Sequence, residues 1–526
     1  MPHLPALITS GDVMPGGGDL NGRRWAGHQL LRAWARFSRK SPLALAHADP
    51  QKLLGLQPWL EQSGFQGQLK PMGLVHPQPF RDCGGLFLPD PSIGRWAQWR
   101  QTAGADAFSL IGQIHTISTP TALGFLQELL TEPVQPWDAL ICSSIAGRDV
   151  VQEVLDVREQ QLLERMGVAK AAGRLPRPQL PVIPLPLPIE SFARPAPAEE
   201  AKRALALPGS CAVVLWLGRL SLLTKLDPWP TYQMLERVAQ RLARPLVLVE
   251  CGPDDHPSPA EQLNAHRQLC PTVQFVRLGG EQPVSEEIKR LALAAADIAV
   301  SLVDNPQETF GLAVAEAMAA GLPLVVSDWN GYRDLVRDGM DGFRVATRWA
   351  SVAQQASVPL GWQQLLGLEP YPKVAGALGQ LVHVDTQAAE AACLTLLTRS
   401  ELRRAMGAAA RQRACETFHP DVVMSQIEAL FLDLQCRRKQ AVTSPASPSP
   451  QLDLVRMFAG YATPGAADAM VQQNTETMST LPVPVRATRG LLWELLKDSL
   501  PEELHKELWA QLLRKHRNYS EMSQSL

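Results

Sequence analysis

Two glutamates eight positions apart flank a glycine turn in the segment NPQETFGLAVAE, which begins at residue 305. Glu308 precedes the turn, Gly311 opens an expected helix, and Glu316 lies inside that helix. The free N–H groups around Gly311 and Leu312, together with the positive end of the helix dipole, would bind a phosphate. The two carboxylates would repel a bare phosphate, but ionised carboxylates accept hydrogen bonds strongly from sugar and ribose hydroxyl groups. The segment therefore predicts a nucleotide-sugar site.

A pair of cations lies upstream, in the segment WLGRLSLLTK at residues 216–225. Arg219 leaves the end of an apolar strand candidate, and Lys225 follows six positions later in the next loop. Two cations at the carboxyl end of a strand can neutralise a diphosphate leaving group as its charge develops, in place of a metal ion. The sequence contains no D-x-D triplet. We therefore expect sugar transfer without a metal or any cofactor other than the nucleotide-diphosphate sugar itself.

The elements that must position these residues alternate between strands and helices. The predicted strands are Ala212–Leu217, Pro245–Glu250, Ile298–Leu302 and Leu322–Ser327, and the predicted helices lie near 229–243, 286–296 and 312–320. Such alternation predicts a parallel sheet with helices on its faces, a Rossmann-like unit.

The first 190 residues show a similar but less regular pattern. Strand candidates at Pro5–Thr9, Phe108–Gly112 and Ala139–Ser143 alternate with helical patterns at Arg24–Ser38 and Gly147–Met166. Two α/β domains joined by a hinge place a cleft between the carboxyl edges of their sheets, where open α/β folds bind ligands. We therefore predict two Rossmann-like domains that face each other across a cleft.

Proline clusters mark the seams between these units, because proline stops helices and removes backbone donors. One cluster spans residues 174–200 and contains a predicted Val182–Leu187 strand followed by a hinge; the other is the Ser/Pro tract that ends at residue 451. The predicted units are an acceptor domain at 1–190, a donor domain at 191–418, a crossover helix at 419–438, a linker at 439–451 and a small helical extension at 452–526. In the extension, Leu504, Leu508 and Leu512 are spaced four apart on one face, which indicates a packing or docking helix.

The motifs together resemble the donor domain of family 4 glycosyltransferases, also called glycosyl transferases group 1, which are retaining enzymes of the GT-B architecture. The resemblance is carried by the Arg/Lys pair, the E-x7-E pair with FGL between them, and the AEAMAAGLPLVVSD run that follows. VECGPDD at 249–255, VRLGG at 276–280 and the stretch 401–423 also resemble the family. Residues 347–381 look like an insertion relative to a minimal member, and the extension at 452–526 has no counterpart.

The resemblance also implies roles in the first domain. The run Gly16, Gly17 and Gly18 lies where the family places a glycine-rich loop, whose amides approach the donor phosphates; the simpler interpretation is a flexible turn. His115 follows a strand, like the histidine at the family's catalytic centre; the simpler interpretation is a core histidine.

For the second domain, the resemblance implies that Glu308 positions the sugar, Glu316 holds the ribose, and Arg219 and Lys225 stabilise the diphosphate. Gly311 and Leu312 would supply amides to the phosphates. His115 would orient the sugar or the acceptor rather than act as the sole base.

Composition limits the other possibilities. The 526 residues include 50 Lys or Arg and 52 Asp or Glu, a formal charge of −2 that does not favour nucleic acid as a partner. The longest weakly charged apolar stretch, 291–303, is too short to span a bilayer, and the first residues do not resemble a secretory signal. The 8 cysteines are scattered without metal-ligand spacing, so we expect reduced thiols in a cytoplasmic protein.

The predicted function is transfer of a sugar to a glycan or lipid-linked acceptor, for example in polysaccharide biosynthesis. A basic face of the first long helix, with Arg32, Arg36 and Arg39, could touch the inner face of a membrane, although a solvated face over a core stripe is simpler. Two alternatives remain open: a non-transferring nucleotide-sugar epimerase, and a catalytically silent scaffold that binds a protein partner through its C-terminal tail.

Overall fold

The computed structural model describes residues 3–9, 11–15, 22–168, 175–193, 196–255, 258–441, 453–461 and 504. Of the predicted features, the glycine run with Gly17 and Gly18 lies outside the described residues, and so does the helical extension apart from a few residues.

The first domain is built on a six-stranded sheet whose strands all run parallel in the order β3-β2-β1-β4-β5-β6. The strands are β1 (Ala6–Ile8), β2 (Leu43–His47), β3 (Leu69–Gly73), β4 (Gly85–Phe87), β5 (Ser109–Gln113) and β6 (Ala139–Ile141). The helices are α1 (Gly22–Ser38), α2 (Gln51–Leu54), α3 (Gln57–Gln62), α4 (Phe80–Cys83), α5 (Ile93–Gln101), α6 (Pro120–Thr131) and α7 (Ile145–Met166). Helix α1 buries Leu30, Leu31 and Trp34 on one stripe, as expected for an amphipathic helix over a core.

The second domain contains another six-stranded parallel sheet, in the order β12-β11-β10-β7-β8-β9. Its strands are β7 (Ala212–Leu217), β8 (Leu246–Pro253), β9 (Val273–Gly280), β10 (Ile298–Ser301), β11 (Leu324–Ser327) and β12 (Gly342–Val345). Strand β7 is buried along its whole length, because helices cover both faces of a parallel sheet.

The second domain also holds most of the helices. They are α8 (Ala198–Ala204), α9 (Pro228–Arg241), α10 (Ala260–Gln268), α11 (Glu286–Ala295), α12 (Leu312–Ala319), α13 (Tyr332–Leu335), α14 (Ala353–Leu365), α15 (Tyr371–Gly379), α16 (Thr386–Thr398), α17 (Ser400–Phe418) and α18 (Pro420–Gln440). An antiparallel ribbon pairs β13 (Thr347–Trp349) with β14 (Val382–Val384). Beyond them the structure describes the short helix α19 (Leu454–Met457), and two 3₁₀ turns lie at Ile189–Phe192 and Ala459–Tyr461.

Helix α18 returns to the first domain. Its Val423, Ile427 and Phe431 belong to the same buried cluster as Leu7 and Trp34 of the first sheet and its covering helix. The carboxyl edges of the two sheets also meet, because Ser144 after β6 donates a hydrogen bond of 2.9 Å to the Thr309 carbonyl after β10. Two Rossmann-like domains facing each other in this way, with a final helix that crosses back, form the GT-B architecture implied by the motifs.

One predicted strand is wrong. Residues 182–187 do not form a strand; nearby, Gln179 and Val182 make only isolated parallel bridges, to Ala139 and Cys142. Prolines at 181, 184 and 186 explain the difference, because each removes a backbone donor that a ladder needs.

The four strands predicted for the second domain are confirmed, and β9 and β12 were missed. Within the described residues, no helix has the length and apolar character needed to cross a membrane.

Candidate functional site

The candidate site lies at the carboxyl end of the second sheet, where the strand order reverses. From β7 the sheet extends through β8 and β9 on one side and through β10, β11 and β12 on the other. Crevices at such switch points bind ligands in open α/β sheets. The loops that follow β7 and β10 carry Lys225 and Glu308, so the topology brings the two predicted residues to one crevice.

Lys225 and Glu308 form an ion pair. The Lys225 Nζ donates to Glu308 Oε2, and the side chains are 16% and 14% exposed. Burial by itself would lower the pKa of Lys225, but the Glu308 carboxylate outweighs it and the pKa is raised. Lys225 is therefore charged at neutral pH. The Tyr332 hydroxyl lies 3.5 Å from the same carboxylate oxygen, and the Asn330 side chain donates to the Glu308 carbonyl.

A glycine turn places Lys225 near the start of helix α12. Gly218 follows β7 with a φ of 121°, and a Cβ built there would lie 3.8 Å from both Lys225 Cε and Ala313 Cβ. A side chain at this position would occupy the space between the lysine and the helix. The left-handed backbone conformation also favours glycine.

Gly311 opens helix α12 with a φ of 108° and no side-chain cap. A Cβ at Gly311 would lie 2.5 Å from Tyr332 Cε1, so glycine is required both by conformation and by packing. The first N–H groups of a helix have no acceptor within it, and they can therefore bind an anion. The predicted Gly311–Leu312 amides thus stand beside the Lys225–Glu308 pair.

Glu316 is paired with a lysine that the sequence analysis missed. Lys289 of α11 donates to Glu316 Oε1 at 2.8 Å, and the side chains are 14% and 8% exposed. Burial raises the pKa of Glu316, while Lys289 opposes the rise without cancelling it. The Lys289 ammonium also lies 5.5 Å from the ring of Trp25 and 5.3 Å from the ring of Phe192. Helix α1 of the first domain, which carries Trp25, therefore makes a cation–π contact with the lysine that pairs with Glu316.

Arg219 lies at the rim of the crevice. It pairs with Asp255 at 3.3 Å, and its side chain is 39% exposed. The neighbouring Asp254 is instead bound to Arg277 at 2.7 Å. Of the two predicted cations, Lys225 is therefore the buried one and Arg219 the accessible one.

His115 follows β5 at the carboxyl edge of the first sheet. Burial, helped by the nearby Arg23, lowers the pKa of His115 to about 4, although the Pro89 carbonyl and Asp12 act in the opposite direction. The imidazole is therefore neutral at pH 7. A neutral imidazole can donate and accept a hydrogen bond, but a histidine with such a low pKa is a weak base.

Other residues of the site carried no motif. Tyr332, Asn330 and Asn305 all follow strand ends, as site residues in such folds do, but this signal is shared by many loop residues. Lys289 lies 27 positions from Glu316 and only the fold brings them together. In the part of the chain that the structure describes, no group of three or more His, Cys, Asp or Glu side chains is arranged to hold a metal ion.

Comparison with known proteins agrees with the motifs. Residues 212–358 match the family described as glycosyl transferases group 1. Curated relatives include the D-inositol 3-phosphate glycosyltransferase of Nocardioides sp., 32% identical over 31% of this chain and 37% of the relative, and that of Xylanimonas cellulosilytica, 30% identical over 35% and 42%. The chain thus spans about two fifths of the length of these relatives.

Among solved structures, Anabaena Alr3699/HepE in complex with UDP-glucose is similar with a TM-score of 0.49 and 16% identity over 82% of this chain and 100% of that one. The sucrose-phosphate synthase of Thermosynechococcus elongatus has a TM-score of 0.47 and 18% identity over the same shares. The family match confirms the resemblance to glycosyl transferases group 1 for residues 212–358, the segment that carries both cations and both carboxylates.

Proposed function

We propose that this chain is a retaining glycosyltransferase that moves a sugar from a nucleotide-diphosphate sugar to a glycan or lipid-linked acceptor without a metal. The observation that carries the proposal is the Lys225–Glu308 pair beside the uncapped start of α12, at the switch point of the second sheet. This crevice offers a cation, a carboxylate and free amides together. Those groups match the phosphates and the hydroxyl groups of such a donor.

The donor would use hydrogen-bonding capacity that the ion pair leaves free. A lysine ammonium has three donors, and among the described residues only Glu308 accepts from Lys225. The diphosphate would take further donors of Lys225, with Arg219 at the rim and the amides at Gly311 and Leu312. Glu308 would accept hydrogen bonds from the sugar, and Glu316 would accept them from the ribose.

The transfer breaks the bond between the anomeric carbon and the diphosphate oxygen and forms a bond from that carbon to the acceptor oxygen on the same face. The acceptor proton moves to the departing phosphate oxygen. Lys225 and Arg219 stabilise the negative charge that develops there. Such electrostatic stabilisation of the transition state is usually the largest single contribution to catalysis. His115, which is neutral, orients the sugar or the acceptor by hydrogen bonding.

A screen of UDP-, GDP- and ADP-sugars in EDTA tests the proposal. We expect one donor to stabilise the protein against heat and to be slowly hydrolysed, with the released sugar keeping its anomeric configuration by NMR. Glu308→Gln keeps the size of the side chain but removes its charge, and it should abolish hydrolysis. If no donor stabilises the protein or is turned over, the alternative of a catalytically silent scaffold replaces this proposal.

A further inference from the structure

The segment 347–381, which comprises β13, α14 and α15, reaches from the second domain to the first. The Tyr371 and Ser118 hydroxyl oxygens lie 2.8 Å apart and share a hydrogen bond. The Gln364 side-chain amide donates to the Ser118 carbonyl at 3.2 Å. Ser118 lies three positions after His115 in the same loop, so this segment holds the loop that carries the predicted catalytic histidine.

The same segment also packs on the two loops of the donor site. The Asn305 side-chain amide donates to the Ala375 carbonyl at 3.1 Å and to the Leu223 carbonyl at 2.8 Å, so it joins α15 to the loop that precedes Lys225. A Cβ at Gly376 would lie 3.1 Å from Leu223 Cα, which shows how closely the helix approaches this loop. The segment therefore contacts three loops: 114–119, 218–227 and 304–311.

Tyr371 makes the side-chain contact between this segment and the His115 loop. Its side chain is partly buried, and burial raises the pKa of its hydroxyl, although Ser118 and the nearby Arg219 oppose the rise. The hydroxyl is therefore protonated at pH 7 and can take part in the hydrogen bond to Ser118. The influence of Arg219 places this hydroxyl within electrostatic range of one of the two predicted diphosphate cations.

We infer that Tyr371 is a positioning residue, and that the 347–381 segment clasps the His115 loop of the first domain to the Lys225 and Glu308 loops of the second. The inference rests on the proposed function, since the clasp sets where His115 stands relative to a sugar held by the second domain. The Tyr371–Ser118 hydrogen bond acts on the His115 loop and leaves the predicted donor-binding groups of the second domain in place. The clasp therefore governs transfer rather than donor affinity.

Tyr371→Phe tests the clasp because it removes only the hydroxyl group. A net intramolecular hydrogen bond contributes roughly a fivefold change in an equilibrium or a rate, so we expect kcat for transfer to fall about fivefold. The Kd of the donor should change less than twofold. Ser118→Ala should have the same effect. The double variant should be no worse than either single variant, because both substitutions remove the same hydrogen bond. Ser118→Thr keeps a hydroxyl and should retain most of the activity.

Hydrogen–deuterium exchange tests the same contact without any donor. We expect faster exchange at residues 114–119 in Tyr371→Phe, with no change in the β7 and β10 strands. Tyr461→Phe is the matched control, because Tyr461 is 88% exposed. Unchanged exchange at 114–119, or equal losses in donor affinity and kcat, would overturn the clasp. Failure of the wild-type protein to bind any donor would instead overturn the proposed function, and exchange alone would then decide the clasp.

Discussion

Each of the two sheets carries a buried ion pair, and the two pairs differ in how fully their hydrogen bonds are used. In the first domain, Arg100 and Asp138 are both completely buried. The Arg100 guanidinium donates to both carboxylate oxygens at 2.5 and 2.9 Å and to the Phe108 and Pro133 carbonyls. Asp138 also accepts from the Leu110 amide at 2.8 Å.

The Lys225–Glu308 pair in the second domain makes fewer hydrogen bonds within the protein. Lys225 has no acceptor other than Glu308 among the described residues, and both side chains keep some exposure at the carboxyl edge of the sheet. The Arg100 guanidinium makes four hydrogen bonds inside the protein and leaves only its Nε without a partner among the described residues, whereas a pair with several spare donors at a crevice can bind a ligand. The comparison teaches that the number of hydrogen bonds made inside the protein, rather than burial alone, separates a structural charge pair from a candidate site.

Among the single substitutions that test this comparison, Lys225→Ala should produce the largest effect on activity. Removing a group that stabilises developing charge lowers kcat by about 10²- to 10³-fold in other enzymes, and we expect the same here. Steady-state kinetics with the donor found by the screen would measure the loss. Lys52→Ala, at an exposed lysine of the first domain, is the control and should be neutral.

Lys225→Ala also leaves the Glu308 carboxylate without its cation, which could destabilise the loop. The double variant Lys225→Ala/Glu308→Gln removes both charges and should remain folded but inactive. Wild-type activity in the folded double variant would end the assignment of this pair to the site.

Arg100→Met should lower the stability of the protein without lowering its activity. Breaking a buried pair costs about 3–5 kcal/mol because the remaining charge stays buried, so the free energy of unfolding should fall by that amount. Denaturant titration measures it. The kcat of the protein that remains folded should be unchanged, and the double variant Arg100→Met/Asp138→Leu should recover part of the stability. A kcat loss as large as that of Lys225→Ala would show that the two pairs are not functionally distinct.

Lys289→Met should weaken the donor affinity about tenfold, the usual contribution of a hydrogen bond to a charged group. Methionine keeps an apolar stem against Trp25 and Phe192 but removes the charge that opposes the raised pKa of Glu316. Glu316 would then be more fully protonated and a weaker acceptor for ribose hydroxyls. Affinity in the variant should therefore improve as the pH rises, which calorimetry at several pH values would detect; a pH-independent loss would refute this role.

Asp304→Asn should have the smallest effect, on the pH dependence of stability. Burial raises the pKa of Asp304 from 3.8 to about 7. The folded state thus keeps a proton that the unfolded chain releases, and this contribution is complete below pH 3.8 and lost as the pH rises through about 7. The variant should show a shallower fall of Tm across that range. An identical slope in the two proteins would mean that Asp304 is ionised in the folded state.

Much of the second domain could be predicted because its signals are local. The strands are uninterrupted apolar runs, and Gly311 and the glutamates around it lie within one short segment. The contacts between Lys289 and Glu316, and between Trp25 and Lys289, could not be predicted, because they join residues that only the packing of helices brings together. In the first domain, short strands such as Gly85–Phe87 carry too little pattern to be recognised. The apolar run at 182–187 was wrongly predicted as a strand, because the prolines at 181, 184 and 186 remove the backbone donors that a strand needs.

The site residues follow the same division. Arg219, Lys225, Glu308 and Glu316 were chosen from their spacing, and their roles in binding and transfer stay predictions. The lysine–carboxylate pairing was not foreseen, because spacing does not reveal which charges will neutralise each other.

The most direct test of the account is calorimetric titration of UDP, GDP and ADP, in EDTA, into the wild-type protein and into Lys225→Ala/Glu308→Gln. The account predicts that one nucleotide binds the wild type and that the double variant, although folded, binds it at least tenfold more weakly, because a charged hydrogen-bond donor to the phosphates is lost. Binding of equal strength to both proteins, or of none of the three nucleotides to the wild type, would contradict it.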